Sequence, residues 1–214
     1  MKQVYQKIYG AILMLMMAGA LVVAQGAAAA EKPPEGQTKS PQELVEQATK
    51  DLFAAVKANN AAAKKTDAYY ADVTRILDSI VDFPFIAKAV MRKSAANATP
   101  EQLEKFTVAF KNGLIKTYAK GIANYADSTV KTLPSTAKEG ARRLSVDQDV
   151  SDKGTTHRLS YTMAQNNKTG EWKLINVVLN GVNLGDSFTS QFDQAMIKNN
   201  NDIDKVIETW LVAN

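Results

Sequence analysis

The stretch GEWKLINVVLNGVNL, residues 170–184, places the tightest constraint on how this 214-residue chain can fold. Its aromatic and β-branched residues, followed by asparagine and glycine, predict a β-strand. A strand with one face in water alternates apolar and polar side chains, whereas this strand is apolar at both parities. One parity carries Ile175, Val177 and Leu179, and the other carries Trp172, Leu174 and Val178. We therefore expect apolar groups to cover both faces of this strand.

The spacing of apolar residues predicts helices at both ends of the chain. Helical spacing indicates segments at about 40–60, 67–81, 83–91 and from 99 to between 122 and 126, and two more after about residue 186, the last at about 202–212. Two helix starts are especially clear. SPQE at 40–43 and TPEQ at 99–102 are capping boxes with proline at the first helical position.

Between these helical segments, from about residue 130 to residue 163, the apolar period is two, which is the period of a β-strand. The strand at 170–184 follows as the fourth. The connecting sequences SDKG and NNKTG are short and turn-forming, so neighbouring strands should pair as antiparallel hairpins. This predicts a four-stranded antiparallel meander sheet with N-terminal helices before it and C-terminal helices after it. Such segregation is typical of an α+β fold.

The first 30 residues have the three parts of a secretory signal peptide. A short basic region with Lys2 and Lys7 precedes an apolar run from Ala11 to Val23 and a tail of small residues. We expect cleavage near Ala30. An uncleaved anchor is the alternative, but the run is shorter than the roughly 20 residues that span a bilayer. Residues 31–39 have the composition of a disordered leader, and residues 40–214 should form a single domain.

The charge of the chain limits the kinds of partner it can bind, and its cysteine content indicates the cellular compartment in which it works. The whole chain carries a net charge of +4, but both charges of the predicted signal are lysines, so the mature protein is less basic than the whole chain. Basic pairs such as Lys64-Lys65 and Arg142-Arg143 are interspersed with acids, so we predict no nucleic-acid partner. The absence of cysteine fits a bacterial periplasmic protein that is stabilised by packing rather than by disulfides.

The sequence offers little catalytic chemistry. His157 is the only histidine, and the strand position next to Arg158 favours a structural or surface role. Asp147 and Asp149 are two residues apart, as ordinary polar-face residues of a strand are. No glycine-rich phosphate loop precedes a helix, and no serine has the flanking glycines of a nucleophile elbow. We predict a protein that is not an enzyme and that holds no metal and no cofactor.

Apolar residues exceed what a simple two-layer core requires. They include Phe83, Phe106, Phe110 and Tyr118 from helices, and Tyr161, Met163, Ile175 and Val177 from strands. Periodicity alone favours the interpretation that these side chains pack against one another. The alternative is that they line a cavity for an apolar ligand, with flexible Met163 as an adaptable wall.

Several strings, in this order, resemble the MlaC family of periplasmic phospholipid-binding proteins, which are also described as toluene-tolerance or ABC-transporter auxiliary proteins. They are Val81-Asp82-Phe83, then ATPEQLEKFTVAFKNGLIKTYA at 98–119, then GEWKLINVVLNGVNL, then QF at 191–192. Each string is weak alone, but their order and spacing together are specific. The resemblance covers about Ser40 to Trp210.

The resemblance implies a soluble periplasmic carrier that acts as a monomer and holds a phospholipid as cargo. The acyl chains would lie in an apolar cavity between a curved sheet and helices. Family members exchange lipid with an outer-membrane lipoprotein–porin complex and with an inner-membrane ABC transporter that bears a ring of substrate-binding subunits. Such exchange would maintain the lipid asymmetry of the outer membrane. The competing interpretation is a periplasmic protein-binding adaptor or chaperone-like module with no lipid cargo.

On this basis we predict a set of lipid-binding residues: Phe83, Ile86, Val90, Phe106, Phe110, Leu114, Tyr118, Leu159, Tyr161, Met163, Ile175, Val177 and Leu179. In the strand at 170–184, Ile175, Val177 and Leu179 are expected to face the lipid-side helices. The opposite parity, Trp172, Leu174 and Val178, is expected to be covered by the terminal helices.

Overall fold

The computed structural model describes residues 39–61, 67–122, 128–138 and 140–210. Its helices are α1 (Pro41–Ala61), α2 (Asp67–Ile80), α3 (Phe83–Met91), α4 (Ser94–Asn97), α5 (Pro100–Ile122), α6 (Leu184–Lys198) and α7 (Ile203–Thr209). Its strands are β1 (Thr129–Thr132), β2 (Arg143–Asp152), β3 (Thr155–Gln165), β4 (Trp172–Leu179) and β5 (Val182–Asn183). The α+β prediction is confirmed. Residues 1–38, with the predicted signal peptide and almost all of the predicted leader, lie outside the described residues.

Both predicted capping boxes form. At the start of α1, the Glu43 backbone N–H donates to Ser40 Oγ at 3.2 Å, and the Ser40 backbone N–H donates to Glu43 Oε2 at 2.7 Å. At the start of α5, the Gln102 N–H donates to Thr99 Oγ1 at 3.1 Å, and the Thr99 N–H donates to Gln102 Oε1 at 3.0 Å. Each box satisfies N–H groups that have no partner inside the helix, which fixes where the helix begins.

The sheet is an antiparallel meander in the order β1-β2-β3-β4-β5. It has five strands rather than the predicted four. The extra strand, β5, arises because Asn180 and Gly181 both take positive φ, 48° and 82°, and turn the chain back onto β4. Asn-Gly with positive φ at both positions is typical of a tight two-residue hairpin. The stretch at 170–184 is therefore a strand, a turn and a short return strand.

A β-bulge interrupts the pairing of β3 with β4. Thr162 pairs with Asn176, but the next residue, Met163, pairs with Leu174, so Ile175 has no partner in the register. A bulge inserts one extra residue and changes which side chains share a face. The parity expected for residues 174 and 175 is therefore wrong, because the sequence alternation continues through a point where the backbone does not.

The helices that cover Trp172 and Leu174 come from the N-terminal part of the chain. Both side chains pack on the core that contains α1 and α2. The end of α2 is also tied to β4 through the backbone, because the Asp82 N–H donates to the Leu174 carbonyl at 3.0 Å. An isolated parallel bridge joins Val81 to the same residue. Helix α2, not the C-terminal part of the chain, therefore closes this end of β4.

The buried apolar residues form two cores. The first core comprises Val45, Leu52, Phe53, Val56, Tyr69, Val73, Ile76, Ile80, Ile115, Ala119, Val146, Val150, Leu159, Tyr161, Met163 and Leu179. The second core comprises Phe83, Ala87, Val90, Met91, Ala95, Phe106, Phe110, Leu184, Phe188, Phe192, Met196, Val206 and Trp210. The first core thus joins α1 and α2 to the sheet, and the second joins α3, α6 and α7 to α5.

Helix α5 belongs to both cores. Its N-terminal half places Phe106 in the second core, where the ring centroid lies 5.0 Å from that of Phe192 and 5.3 Å from that of Trp210, with the rings edge to face. Its C-terminal half places Ala119 in the first core, and the Ala119 carbonyl accepts a hydrogen bond from the Tyr69 hydroxyl at 2.8 Å. Burial raises the pKa of Tyr69 to about 12. The helix is thus a common wall between the two cores.

Candidate functional site

An apolar cavity of about 140 Å³ lies where the two cores meet. Its walls are formed by Leu52, Leu77, Val81, Phe83, Ile86, Phe110, Leu114, Tyr118, Tyr161, Leu174, Asn176, Val177, Leu184, Gly185 and Phe188. Members of both cores therefore contribute to the walls, from α1, α2, α3, α5, α6 and the strands β3 and β4. Almost all of the lining side chains are apolar, which suits the cavity to an apolar ligand.

The amide of Asn176 closes the wall beside the start of α6. Its Oδ1 accepts a hydrogen bond from the Gly185 backbone N–H at 3.1 Å, and its Nδ2 donates to Asn183 Oδ1 at 2.9 Å. The glycine permits this approach, because a Cβ at position 185 would lie 2.8 Å from Asn176 Oδ1. Asn183 also caps α6 by accepting from the Asp186 N–H at 3.3 Å. These polar groups are therefore engaged with one another rather than directed at a ligand.

Tyr161, one of the residues that line the cavity, carries a buried hydroxyl. The residue is 4% exposed, and among the described residues its hydroxyl oxygen has no hydrogen-bond partner. Burial raises the pKa of Tyr161 well above its usual range, so the phenol is a neutral donor at physiological pH.

The structure brings together part of the predicted lipid-binding set. Phe83, Ile86, Phe110, Leu114, Tyr118, Tyr161 and Val177 line the cavity. Val90 and Phe106 lie within the second core, and Leu159, Met163 and Leu179 lie within the first. Ile175 is buried at the bulge and does not line the cavity. That any of these residues binds lipid stays a prediction.

Sequence reasoning missed several residues of the lining. The missed residues are apolar and lie in predicted helices or next to one: Leu52, Leu77, Leu184 and Phe188. Their helical spacing indicated only that they face inward. Leu174 was assigned to the opposite face because no sequence signal marked the bulge.

The only histidine of the sequence takes a structural position. His157 is buried in β3, and its Nδ1 lies 2.8 Å from the Asn180 side-chain nitrogen, across the β3–β4 pair. The histidine therefore packs at the end of the β3–β4 hairpin. Within the described ranges, no three histidine, aspartate or glutamate side chains are grouped so that they could hold a metal ion. In the same part of the chain, no helix combines the length and the apolar character needed to cross a membrane.

Comparison with known proteins decides the family. A profile of the MlaC protein family matches residues 46–211, which is most of the chain. The chain belongs to the MlaC family. The resemblance drawn from the sequence strings is thereby confirmed.

Two named proteins are similar in sequence to this MlaC-family chain. It is 36% identical over 175 residues to the toluene tolerance protein Ttg2D of Pseudomonas putida, with 80% of each chain covered. It is 25% identical over 148 residues to the intermembrane phospholipid transport system binding protein MlaC of Haemophilus influenzae, with 68% of this chain and 69% of that protein covered.

A solved structure supports the fold. The phospholipid-binding protein of Ralstonia solanacearum, determined in complex with a phospholipid, superposes with a TM-score of 0.70. The alignment covers 79% of this chain and 94% of that chain, at 24% sequence identity. The arrangement of helices around a meander sheet is therefore an MlaC-like fold.

Proposed function

We propose that this protein binds a phospholipid by its acyl chains in the cavity between the two cores. The observation that carries this proposal is a cavity with almost wholly apolar walls at the meeting point of two separate cores, in an MlaC-family chain. The phospholipid bound to the Ralstonia solanacearum protein of the same fold supports the choice of ligand. The name of the Haemophilus influenzae relative supports a role in transport.

The size of the cavity implies that it widens around its cargo. A volume of about 140 Å³ is smaller than the roughly 300–1,000 Å³ typical of ligand pockets. The walls come from two cores that each have their own buried residues, so the cores can move apart without either losing its packing. Helix α5, which contributes to both, is the element about which such a movement would take place.

Burial of the acyl chains explains why a carrier is needed. Each methylene sheltered from water contributes about 0.8 kcal/mol, so two long chains gain on the order of 20 kcal/mol before ordering costs. A lipid therefore leaves a membrane at a useful rate only if another apolar environment receives it. Release from the carrier in turn requires an acceptor that offers comparable burial or a change of cavity shape on docking.

We extend the proposal to the cell. The N-terminal 30 residues direct export and are removed near Ala30, and residues 40–214 act as one monomeric lipid-binding domain in the periplasm. There the protein receives phospholipid from one membrane complex and delivers it to the other, between the outer-membrane lipoprotein–porin complex and the inner-membrane ABC transporter. This exchange helps to keep the outer membrane asymmetric. The protein itself performs no catalysis and uses no cofactor.

The first test is lipid extraction from protein purified without detergent, followed by mass spectrometry. Wild-type protein is expected to carry phospholipid. Val177→Glu puts a charge on the cavity wall and should lower bound lipid several-fold, because a carboxylate beside acyl chains loses its hydration. The matched control is Val108→Glu on α5, at a valine that is 52% exposed and outside the cavity lining.

Two results would overturn the binding proposal. Repeated recovery of wild-type protein without lipid would favour a protein-binding adaptor instead. Equal lipid in Val177→Glu and Val108→Glu would move the site away from this cavity. The transport step has its own test, in which protein loaded with labelled phospholipid is offered vesicles that contain either membrane complex. Transfer of the labelled phospholipid is expected without added nucleotide.

Export has a separate test. Protein recovered from the periplasmic fraction should have a mass shortened by the signal peptide.

A further inference from the structure

The Tyr161 hydroxyl is a buried polar group that the binding of acyl chains leaves unexplained. Within the described ranges it has no hydrogen-bond partner, although Tyr161 is one of the residues that line the cavity. The residues that pair with Tyr161 on the neighbouring strands are Val146 and Val177, and neither has a side chain that can accept a hydrogen bond. The two residues directly opposite Tyr161 on the flanking strands therefore supply no side-chain acceptor.

A water molecule or the neighbouring amide is a poor substitute. A buried water needs two to four polar partners, and the cavity walls are almost wholly apolar. The Asn176 amide, which also lines the cavity, is already bonded to the Gly185 N–H and to Asn183. A buried donor without an acceptor costs free energy, so the cargo is the natural source of the missing acceptor.

We propose that the Tyr161 hydroxyl donates a hydrogen bond to an ester carbonyl of the bound phospholipid, so that the protein prefers ester-linked to ether-linked lipids. This inference rests on the proposed function. Ester carbonyls join the acyl chains to glycerol and are neutral acceptors at the boundary between the apolar chains and the charged headgroup. The phosphate is charged, and its burial beside a residue that is 4% exposed would cost far more.

The experiment compares two lipids that differ only in this acceptor. Full-length protein is incubated with vesicles that contain equal amounts of diester and diether phosphatidylglycerol with chains of the same length. The lipids recovered with the protein are then counted by mass spectrometry. One hydrogen bond predicts that the wild type recovers the diester lipid in about threefold to tenfold excess.

The decisive variant is Tyr161→Phe, which removes the hydroxyl and keeps the ring. Its recovery ratio should fall to about one, and when the diether lipid is offered alone its recovery should stay at the wild-type level. The matched control is Tyr70→Phe on α2, a half-buried tyrosine outside the cavity lining, which should keep the wild-type ratio.

The outcomes separate this inference from the proposed function. A wild-type ratio of one, or an unchanged excess in Tyr161→Phe, overturns the hydrogen bond while lipid binding stands. Equal loss of both lipids from Tyr161→Phe also contradicts it, because the hydroxyl would then act on the cavity rather than on the ester. Recovery of neither lipid with the wild type would instead end the proposed function, and this inference with it.

Discussion

The Lys111 ammonium lies 2.6 Å from the Asp78 carboxylate and so joins α5 to α2. Each residue follows one that lines the cavity, Phe110 in α5 and Leu77 in α2. The same ammonium lies 5.8 Å from the centroid of the Phe83 ring, which is also part of the lining. The ion pair therefore joins two helices that both contribute to the wall of the cavity.

Removal of this ion pair should make the cavity release its cargo faster. In Lys111→Met the stem is kept and the charge is lost, so the tie between α2 and α5 weakens. A partly exposed pair contributes little, and we expect release of bound phospholipid to acceptor vesicles to accelerate by up to about fivefold. Stopped-flow measurement with a fluorescent lipid would record the rate.

The control for this variant is Lys105→Met. Lys105 forms an ion pair with Glu101 at 2.8 Å, but both residues lie on α5, so the pair ties no second element. Its loss should leave the release rate unchanged. Equal acceleration in both variants would show that surface charge, rather than the tie between helices, sets the rate.

Substitution of Phe106 should separate stability from binding. Phe106 is fully buried in the second core and does not line the cavity. Phe106→Ala should lower the free energy of unfolding by about 3–5 kcal/mol in urea denaturation, because it leaves a hole among packed rings. Lipid bound per folded molecule should not change. A loss of lipid from protein that is still folded would place Phe106 in the site.

The ion pair across β2 and β3 should make stability depend on acidic pH. Arg158 donates to both carboxylate oxygens of Asp149, to Oδ2 at 3.1 Å, and these hydrogen bonds lower the pKa of Asp149. A carboxyl whose pKa is lower in the folded state adds stability above the pKa of the unfolded chain, and this is lost as pH falls through the folded value. Below about pH 5, wild-type stability should therefore fall more steeply than that of Arg158→Met.

Urea midpoints measured from pH 7 down to about pH 3 would record the difference in slope. Asp149→Asn removes the titrating group itself and should give the same shallow slope as Arg158→Met. Parallel curves for the wild type and both variants would show that this pair does not govern the acid response.

A methyl group at position 185 should disturb the cavity wall. In Gly185→Ala the new Cβ would lie 2.8 Å from Asn176 Oδ1, so the hydrogen bond that closes the wall has to break or shift. We expect a loss of about 1–3 kcal/mol in the free energy of unfolding. Asn176→Ala removes the opposing group, so the double variant should lose less than the sum of the two single losses. Additive losses would show that the two groups do not touch.

The helix starts were predictable because a cap is a local interaction. Ser40 with Glu43 and Thr99 with Gln102 are each three residues apart, and the hydrogen bonds that fix the helix start lie within that span. The hairpin at Asn180-Gly181 is equally local. Its signal, Asn-Gly after a strand, is present in the sequence, but β5 has only two residues and so shows no alternation of its own.

The lining of the cavity was only partly predictable, as α5 illustrates. Phe106 and Leu114 follow the same helical spacing, yet Phe106 packs in the second core and Leu114 faces the cavity. Their spacing indicates that both side chains are buried. The spacing does not indicate whether a buried side chain packs in a core or lines the cavity. That depends on the point along α5 at which the two cores separate.

The sequence by itself determined the order of helices and strands, the helix starts, the inward faces and, through its ordered strings, the family. Local hydrogen bonds and hydrophobic periodicity act over a few residues, so they can be read along the chain. Only the tertiary structure decided which inward side chains line the cavity. It also decided that a bulge puts Leu174, rather than Ile175, on the face of β4 that lines the cavity. A cavity is the volume that no side chain fills, and it follows from how two separately packed cores meet rather than from the residues of either one.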